Sequence, residues 1–154
     1  MAVKRANFIK TLRGLKTIGL DSSILIYHLE DIEPYSLLTE TLFAATAEGS
    51  PAAVLSALSV TELLVQPFAA KQAEQIAVFE RFILTLPSTT IVSPSYAVAM
   101  EAARLRAAYG LRTPDALLVA TALGAKADAF FTNDARLRRL KAEGLAIVLL
   151  EDYV

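Results

Sequence analysis

The stretch Phe130-Phe131-Thr132-Asn133-Asp134-Ala135-Arg136-Leu137-Arg138-Arg139-Leu140 changes character at its centre. An apolar run meets three polar residues and gives way to a segment carrying three arginines. Short apolar runs bounded by turn residues read as buried strands, and the longer amphipathic segments behind them as helices. An acid therefore stands where a strand ends, just ahead of a basic helical segment.

The same alternation runs along the chain. Apolar runs at 17–20, 53–58, 90–92, 129–132 and 146–150 are separated by helical stretches at 22–29, 34–47, 60–66, 70–86, 94–109, 114–125 and 135–142. Gly110 and Gly124 fall where helices should stop, and Pro34, Pro94 and Pro114 where helices should begin. The expected fold is an α/β/α sandwich around a central, mostly parallel sheet of about five strands.

The chain's 154 residues fit one domain with a sizeable core, and 55% hydrophobic with 20% charged residues is a globular composition. With no cysteine there is no disulfide, thiolate metal site or cysteine nucleophile, and a cytoplasmic setting is favoured. Mean hydropathy is +0.46. Asp21, Glu30, Glu48 and Glu62 nevertheless interrupt the apolar stretches before the ~20 residues of a membrane span, so the sequence reads as soluble. The first sixteen residues carry Lys4, Arg5, Lys10, Arg13 and Lys16 without the continuous apolar core of a signal peptide. They are expected to form a basic extension (1–16) ahead of the main domain (17–154), as a packed helix, an arm for nucleic acid or partner surface. Net charge is −1, so affinity for nucleic acid must come from local patches.

In open α/β sheets, sites form beyond the carboxyl ends of the strands. That rule selects Asp21, residues 59–62 and residues 132–134, with Asp115 joining from a helix start. Each acid has an ordinary structural reading. Asp21 and Asp134 fit helix N-caps, Ser59-Val60-Thr61-Glu62 fits a capping box, and Thr113-Pro114-Asp115 fits N-cap, N1 and N2. Together they suggest something else. Asp115 shares a helix face with Leu118, Val119 and Ala122, so it should lean towards the protein, and clustered carboxylates raise one another's pKa. Basic side chains or a hard divalent cation, Mg²⁺ or Mn²⁺, would offset that repulsion. Such an ion activates water and stabilises charge on a phosphoryl oxygen, which suits phosphodiester hydrolysis. Ser23, Thr132 and Asn133 are candidates to orient ligands or water, with turn chemistry as the alternative for Ser23 and Asn133.

Other chemistries find no support. His28, the single histidine, lies near an apolar face with Ile24, Leu25 and Leu29, a packing position rather than a triad base. There is no GxGxxG or P-loop to cradle a nucleotide. Leu20-Asp21-Ser22-Ser23 lacks the adjacent acids that a receiver domain needs after its first strand.

The segments IGLDSSILIYHL around Asp21, SALSVTELL around Glu62, LRTPDALLVATAL around Asp115 and DAFFTNDARLRRL around Asp134 resemble, in this order, the PIN domain and within it the VapC-like toxins. The resemblance implies a Mg²⁺- or Mn²⁺-dependent ribonuclease, the toxin of a toxin–antitoxin pair, with Asp21, Glu62, Asp115 and Asp134 as its acidic quartet. Thr132 matches a frequent hydroxyl just ahead of the last acid. Ser23 departs from the asparagine often found there, and the basic extension is longer than in many relatives. RNA would be gripped by Arg112, Arg136, Arg138 and Arg139. The resemblance also implies an antitoxin and a homodimer, for which the helices at 34–47 and 70–86 are candidate surfaces. The rival reading is a catalytically inactive PIN-like binding or scaffold module whose acids remain as caps.

Overall fold

The structure, a computed structural model, describes residues 4–154. Helix α1 (Arg5–Arg13) precedes β1 (Thr17–Leu20), α2 (Ser22–Leu29), α3 (Tyr35–Ala47), β2 (Ala52–Ser56), α4 (Leu58–Ala69) and α5 (Ala73–Leu84). Then follow β3 (Thr89–Val92), α6 (Tyr96–Tyr109), α7 (Thr113–Gly124), β4 (Ala129–Thr132), a 3-10 helix (Ala135–Glu143), β5 (Ala146–Leu149) and a closing 3-10 turn (Leu150–Tyr153).

The five strands form one all-parallel sheet in the order β3-β2-β1-β4-β5. From β1 the chain first builds outward through β2 and β3, then returns to lay β4 on β1's other side. The strand order thus reverses between β1 and β4, where open sheets place their ligand crevice. Leu20 pairs with Phe131 in register, so the residues that follow the two strands emerge side by side.

Alternating side chains divide the core into two layers. Ile18, Leu20, Ala53, Leu55, Ala129, Phe131 and Val148 face the layer under α1, α2 and α3. Phe130 and Ile147 face the other, against α6, α7 and the 3-10 helix. The extension belongs to the first layer from Lys4 on; residues 1–3 lie outside the described residues. Phe8 and Leu12 of α1 are buried, and the Phe8 ring meets Phe131 edge-on at 5.9 Å and Tyr153 at 5.1 Å. Phe8 and Leu12 thus pack α1 on the body, one of the three roles left open by the sequence.

Two details differ from the sequence expectations. The segment after Asp134 is a 3-10 helix, and its two buried leucines, Leu137 and Leu140, stand three apart, matching the three-residue turn of that helix. Helix α4 begins at Leu58 and runs to Ala69, and Lys71, at φ 54°, turns the chain into α5. Helix α3 turns Leu38, Leu42 and Phe43 inward and leaves Leu37 exposed, and large exposed apolar side chains also include Val65 and Phe68 of α4, Val78 and Leu84 of α5 and Tyr96 and Met100 of α6. Among the described residues no helix is long and apolar enough to cross a membrane.

Candidate active site

Asp21 is the first residue beyond β1, and its amide extends the sheet by donating to Phe131 O at 2.9 Å. It occupies the N-cap position of α2, but its side chain makes no capping bond. The carboxylate instead accepts the Thr132 hydroxyl at 2.6 Å, across the β1–β4 crevice. Thr132 is fully buried, and its oxygen also accepts the Asp134 N–H at 3.1 Å. Burial pushes the Asp21 carboxyl above its usual range, the Thr132 bond opposes that, and the nearby charges of Asp115 and Glu62 push it further up.

Glu62 reaches the same place from α4. The capping box expected of Ser59 and Glu62 does not form, because the helix has already started two residues before Val60 and Ser56 Oγ accepts the Leu58 N–H at 3.1 Å. Ser22 donates to Glu62 Oε1 at 3.0 Å and shares a 2.7 Å bond with the buried Ser59 hydroxyl. With Ser22's proton directed at Glu62, the Ser59 proton must point to Ser22.

Asp115 sits in the first turn of α7, where Arg112, not Thr113, holds the N-cap position and no side chain caps the helix. Its face continues into Leu118, Val119 and Ala122, all buried, as the sequence pattern requires. The helix lies very close to β1. A Cβ on Gly19 would stand 2.6 Å from Ala122 Cβ and 3.0 Å from Phe130 Cδ1, so only glycine admits this approach. Arg112 Nε pairs with Asp115 Oδ2 at 3.2 Å, the guanidinium largely exposed.

Asp134 is the one acid of the four that caps. Its Oδ1 accepts the Arg136 N–H at 3.0 Å. The Arg136 guanidinium also grips the carboxylate with both prongs, Nε to Oδ1 at 2.9 Å and Nη2 to Oδ2 at 2.7 Å. That pairing holds the Asp134 carboxyl below its usual range.

Residues 18–143 match the PIN domain family. The chain belongs to that family. No curated protein matches the sequence significantly. Among solved structures, a toxin–antitoxin complex from Klebsiella pneumoniae superposes on this PIN domain with TM-score 0.64 at 20% identity, covering 88% of this chain and 98% of the other. VapBC2 from Rickettsia felis, bound to a promoter DNA fragment, gives 0.66 at 19% identity, with 86% and 98% covered. FitAcB from Neisseria gonorrhoeae gives 0.64 at 20%, with 88% and 98% covered. At these identities the likeness is one of fold.

Around the acids of this PIN domain, Arg112, Arg136 and Arg139 line a cavity of about 70 Å³ with Asp115 and Asp134. Arg139 donates to Tyr109 O at 2.7 Å and lies over the Tyr109 ring. Arg138 is paired with Asp152 at 2.7 Å. Two arginines earlier in the chain are committed to structure, Arg104 to Glu101 and Glu143 and Arg106 to Leu111 O. His28 packs between Phe43 and Phe82, its Nδ1 3.2 Å from Thr39 Oγ1.

The donor set is made of carboxylate and hydroxyl oxygens, the chemistry a hard dication prefers. Ser23, two residues after Asp21, has a buried hydroxyl oxygen with no hydrogen-bond partner, an atom that needs a ligand or a water. The residues therefore fit Mg²⁺ or Mn²⁺ in kind. They are not drawn into a finished shell, since among the described residues no three acidic or histidine side chains stand close enough together to hold an ion. Guanidinium groups occupy two of the four carboxylates instead. Asn133 contacts Tyr27 and the Glu151 amide rather than an acid. The sequence reading gave Ser22 no role, Ser59 only a capping role and Gly19 none. Hydroxyls flanking both Asp21 and Glu62 were the available signal for the first two.

Proposed function

We propose that this PIN domain is a metal-dependent endoribonuclease that hydrolyses RNA phosphodiester bonds, and that it is the toxin of a type II toxin–antitoxin pair in the cytoplasm. The observation that carries the reading is Asp21. A desolvated carboxylate at the sheet's switch point, held by a buried threonine and pushed further up by the charges of two other acids, is a costly arrangement unless a cation accompanies it. Asp21, Asp115, Asp134 and Glu62 would hold Mg²⁺ or Mn²⁺, which would supply water activation and neutralise charge on the scissile phosphate.

The chain's own groups have separate tasks. Thr132 fixes the orientation of Asp21, and Ser22 that of Glu62, each by donating to a carboxylate oxygen without cancelling its charge. Arg112, Arg136, Arg138 and Arg139 would meet RNA phosphates, the first three after releasing their carboxylates. Family membership supports the nuclease reading, since PIN domains are typically metal-dependent nucleases. The structural neighbours come from toxin–antitoxin complexes, which supports an antitoxin partner. The exposed apolar side chains Val65 and Phe68 of α4 and Val78 and Leu84 of the adjoining α5 support a homodimer.

The test is cleavage of a mixed RNA substrate with and without EDTA. Loss of cleavage on chelation, and in both Asp21→Asn and Asp134→Asn proteins, is the expected result. Undiminished cleavage by either variant sinks the site, and absence of cleavage under every metal condition favours a binding module.

A further inference from the structure

Asn133 stands between Thr132, whose hydroxyl holds Asp21, and Asp134. Both ends of its side-chain amide are engaged elsewhere. Oδ1 accepts the Glu151 N–H at 2.9 Å, and since that backbone group can only donate, the amide's orientation is fixed. Nδ2 donates to Tyr27 Oη at 3.3 Å, and Tyr27 in turn stacks on Tyr35 with ring centroids 4.8 Å apart.

The Glu151 end of this brace is itself anchored. Glu151 belongs to the closing turn, and Tyr153 of that turn is clasped by α1. The Tyr153 carbonyl accepts the Lys4 N–H at 2.7 Å, its hydroxyl lies 2.8 Å from Thr11 Oγ1, and its ring packs on Phe8. Arg138 adds a bond to Asp152 from the 3-10 helix. A strand-to-helix turn of two residues, Asn133 and Asp134, has little local structure to fix it, and such turns open more readily than the elements they join. Here one side chain ties the turn to α2 on one side and to the chain's closing segment on the other.

We propose that Asn133 is a positioning residue, holding the turn that carries Thr132 and Asp134 against α2 and against the closing turn clasped by α1, and so fixing where those side chains stand relative to Asp21. The ion readout below rests on the acids being a metal site; the backbone readout does not. Groups one step removed from a ligand set typically change metal affinity 10–100-fold when removed.

The experiment compares wild type, Asn133→Ala and Val98→Ala, the last a loss of packing in the opposite core layer. Mn²⁺ affinity is measured by calorimetry, and amide hydrogen exchange of Asp134 by NMR on the metal-free protein. Asn133→Ala is expected to weaken Mn²⁺ binding about tenfold and to speed Asp134 exchange about tenfold. Val98→Ala should leave both unchanged while lowering the melting temperature. An Asn133→Ala protein whose Asp134 exchange and Mn²⁺ affinity equal those of wild type, or change only as much as in Val98→Ala, overturns the proposal. If wild type binds no Mn²⁺, the metal reading of the acids falls by itself, and the Asp134 exchange rate alone decides whether Asn133 positions the turn.

Discussion

Asp21 and Glu62 are held by hydroxyls, whereas Asp115 and Asp134 are held by guanidinium groups. A hydroxyl orients a carboxylate and leaves its charge intact; a guanidinium orients it and cancels the charge. The first pair is tied down by Thr132, Ser22 and Ser59, all buried. The arginines of the second pair are about 70% exposed, and ion pairs at such positions exchange at little cost. One half of the site is thus built permanently, and the other is closed by counter-ions that a dication could replace.

The comparison breaks most visibly at Asp115. Asp115→Asn is expected to abolish the rise in melting temperature on adding Mn²⁺, a stabilisation of ~2.7 kcal/mol at a hundredfold excess over Kd, while leaving the metal-free protein nearly unchanged. Thermal melts with and without the ion check this. Equal destabilisation in both conditions would make Asp115 a structural acid only.

Gly19→Ala should cost ~1–3 kcal/mol by forcing α7 away from β1, and should weaken Mn²⁺ binding because Asp115 moves with the helix. Urea titration and calorimetry measure the two effects; a stability loss with unchanged ion affinity would separate helix spacing from the site.

Asp21→Asn should act in the opposite direction on stability, raising that of the metal-free protein by ~0.5–2 kcal/mol at neutral pH. The sign follows from burial. A carboxyl whose folded pKa lies above its unfolded value of 3.8 destabilises the fold when ionised, and the penalty disappears as pH falls through the folded pKa towards 3.8. The gap between variant and wild type should therefore narrow as pH is lowered. For Asp134, lowered by Arg136, the stabilisation is present above 3.8 and fades as pH falls through its depressed value, so Asp134→Asn should show no such gain.

The smallest effect on stability belongs to Arg136→Gln. Its melting temperature should barely move, since the guanidinium is exposed, but Mn²⁺ should bind several-fold more tightly once the competing cation is gone. Weaker binding in calorimetry would show that the arginine assists the ion rather than standing in for it.

The sheet and the meeting of Asp21 with residues 132–134 were legible because both rest on local patterns, short apolar runs and the carboxyl-end rule. Asp115 was legible for the same reason, since the apolar face of α7 is written at helical spacing. The capping readings were the weak point. Ser59 and Glu62 satisfy a local pattern, but the partner that claims both is Ser22, 37 positions from Ser59, and no local pattern reports such a contact. The pairing of Arg112 and Arg136 with their acids is local in sequence, yet these arginines read equally well as phosphate contacts. The packing of α1 was hinted at by Phe8 and Leu12 at a four-residue spacing amid basic residues. Which surface they would cover required the sheet.

The Thr132–Asp21 bond joins positions 111 apart in the chain, across the two strands on either side of the topological reversal. Closing so large a loop is slow and brings no reward until both strands exist. During translation, a nascent chain carries Asp21 until, 111 positions later, the threonine that will orient it is added. The pocket can assemble only when residues 132–134 have left the ribosome, so products truncated ahead of them inherit the first acid but not the site.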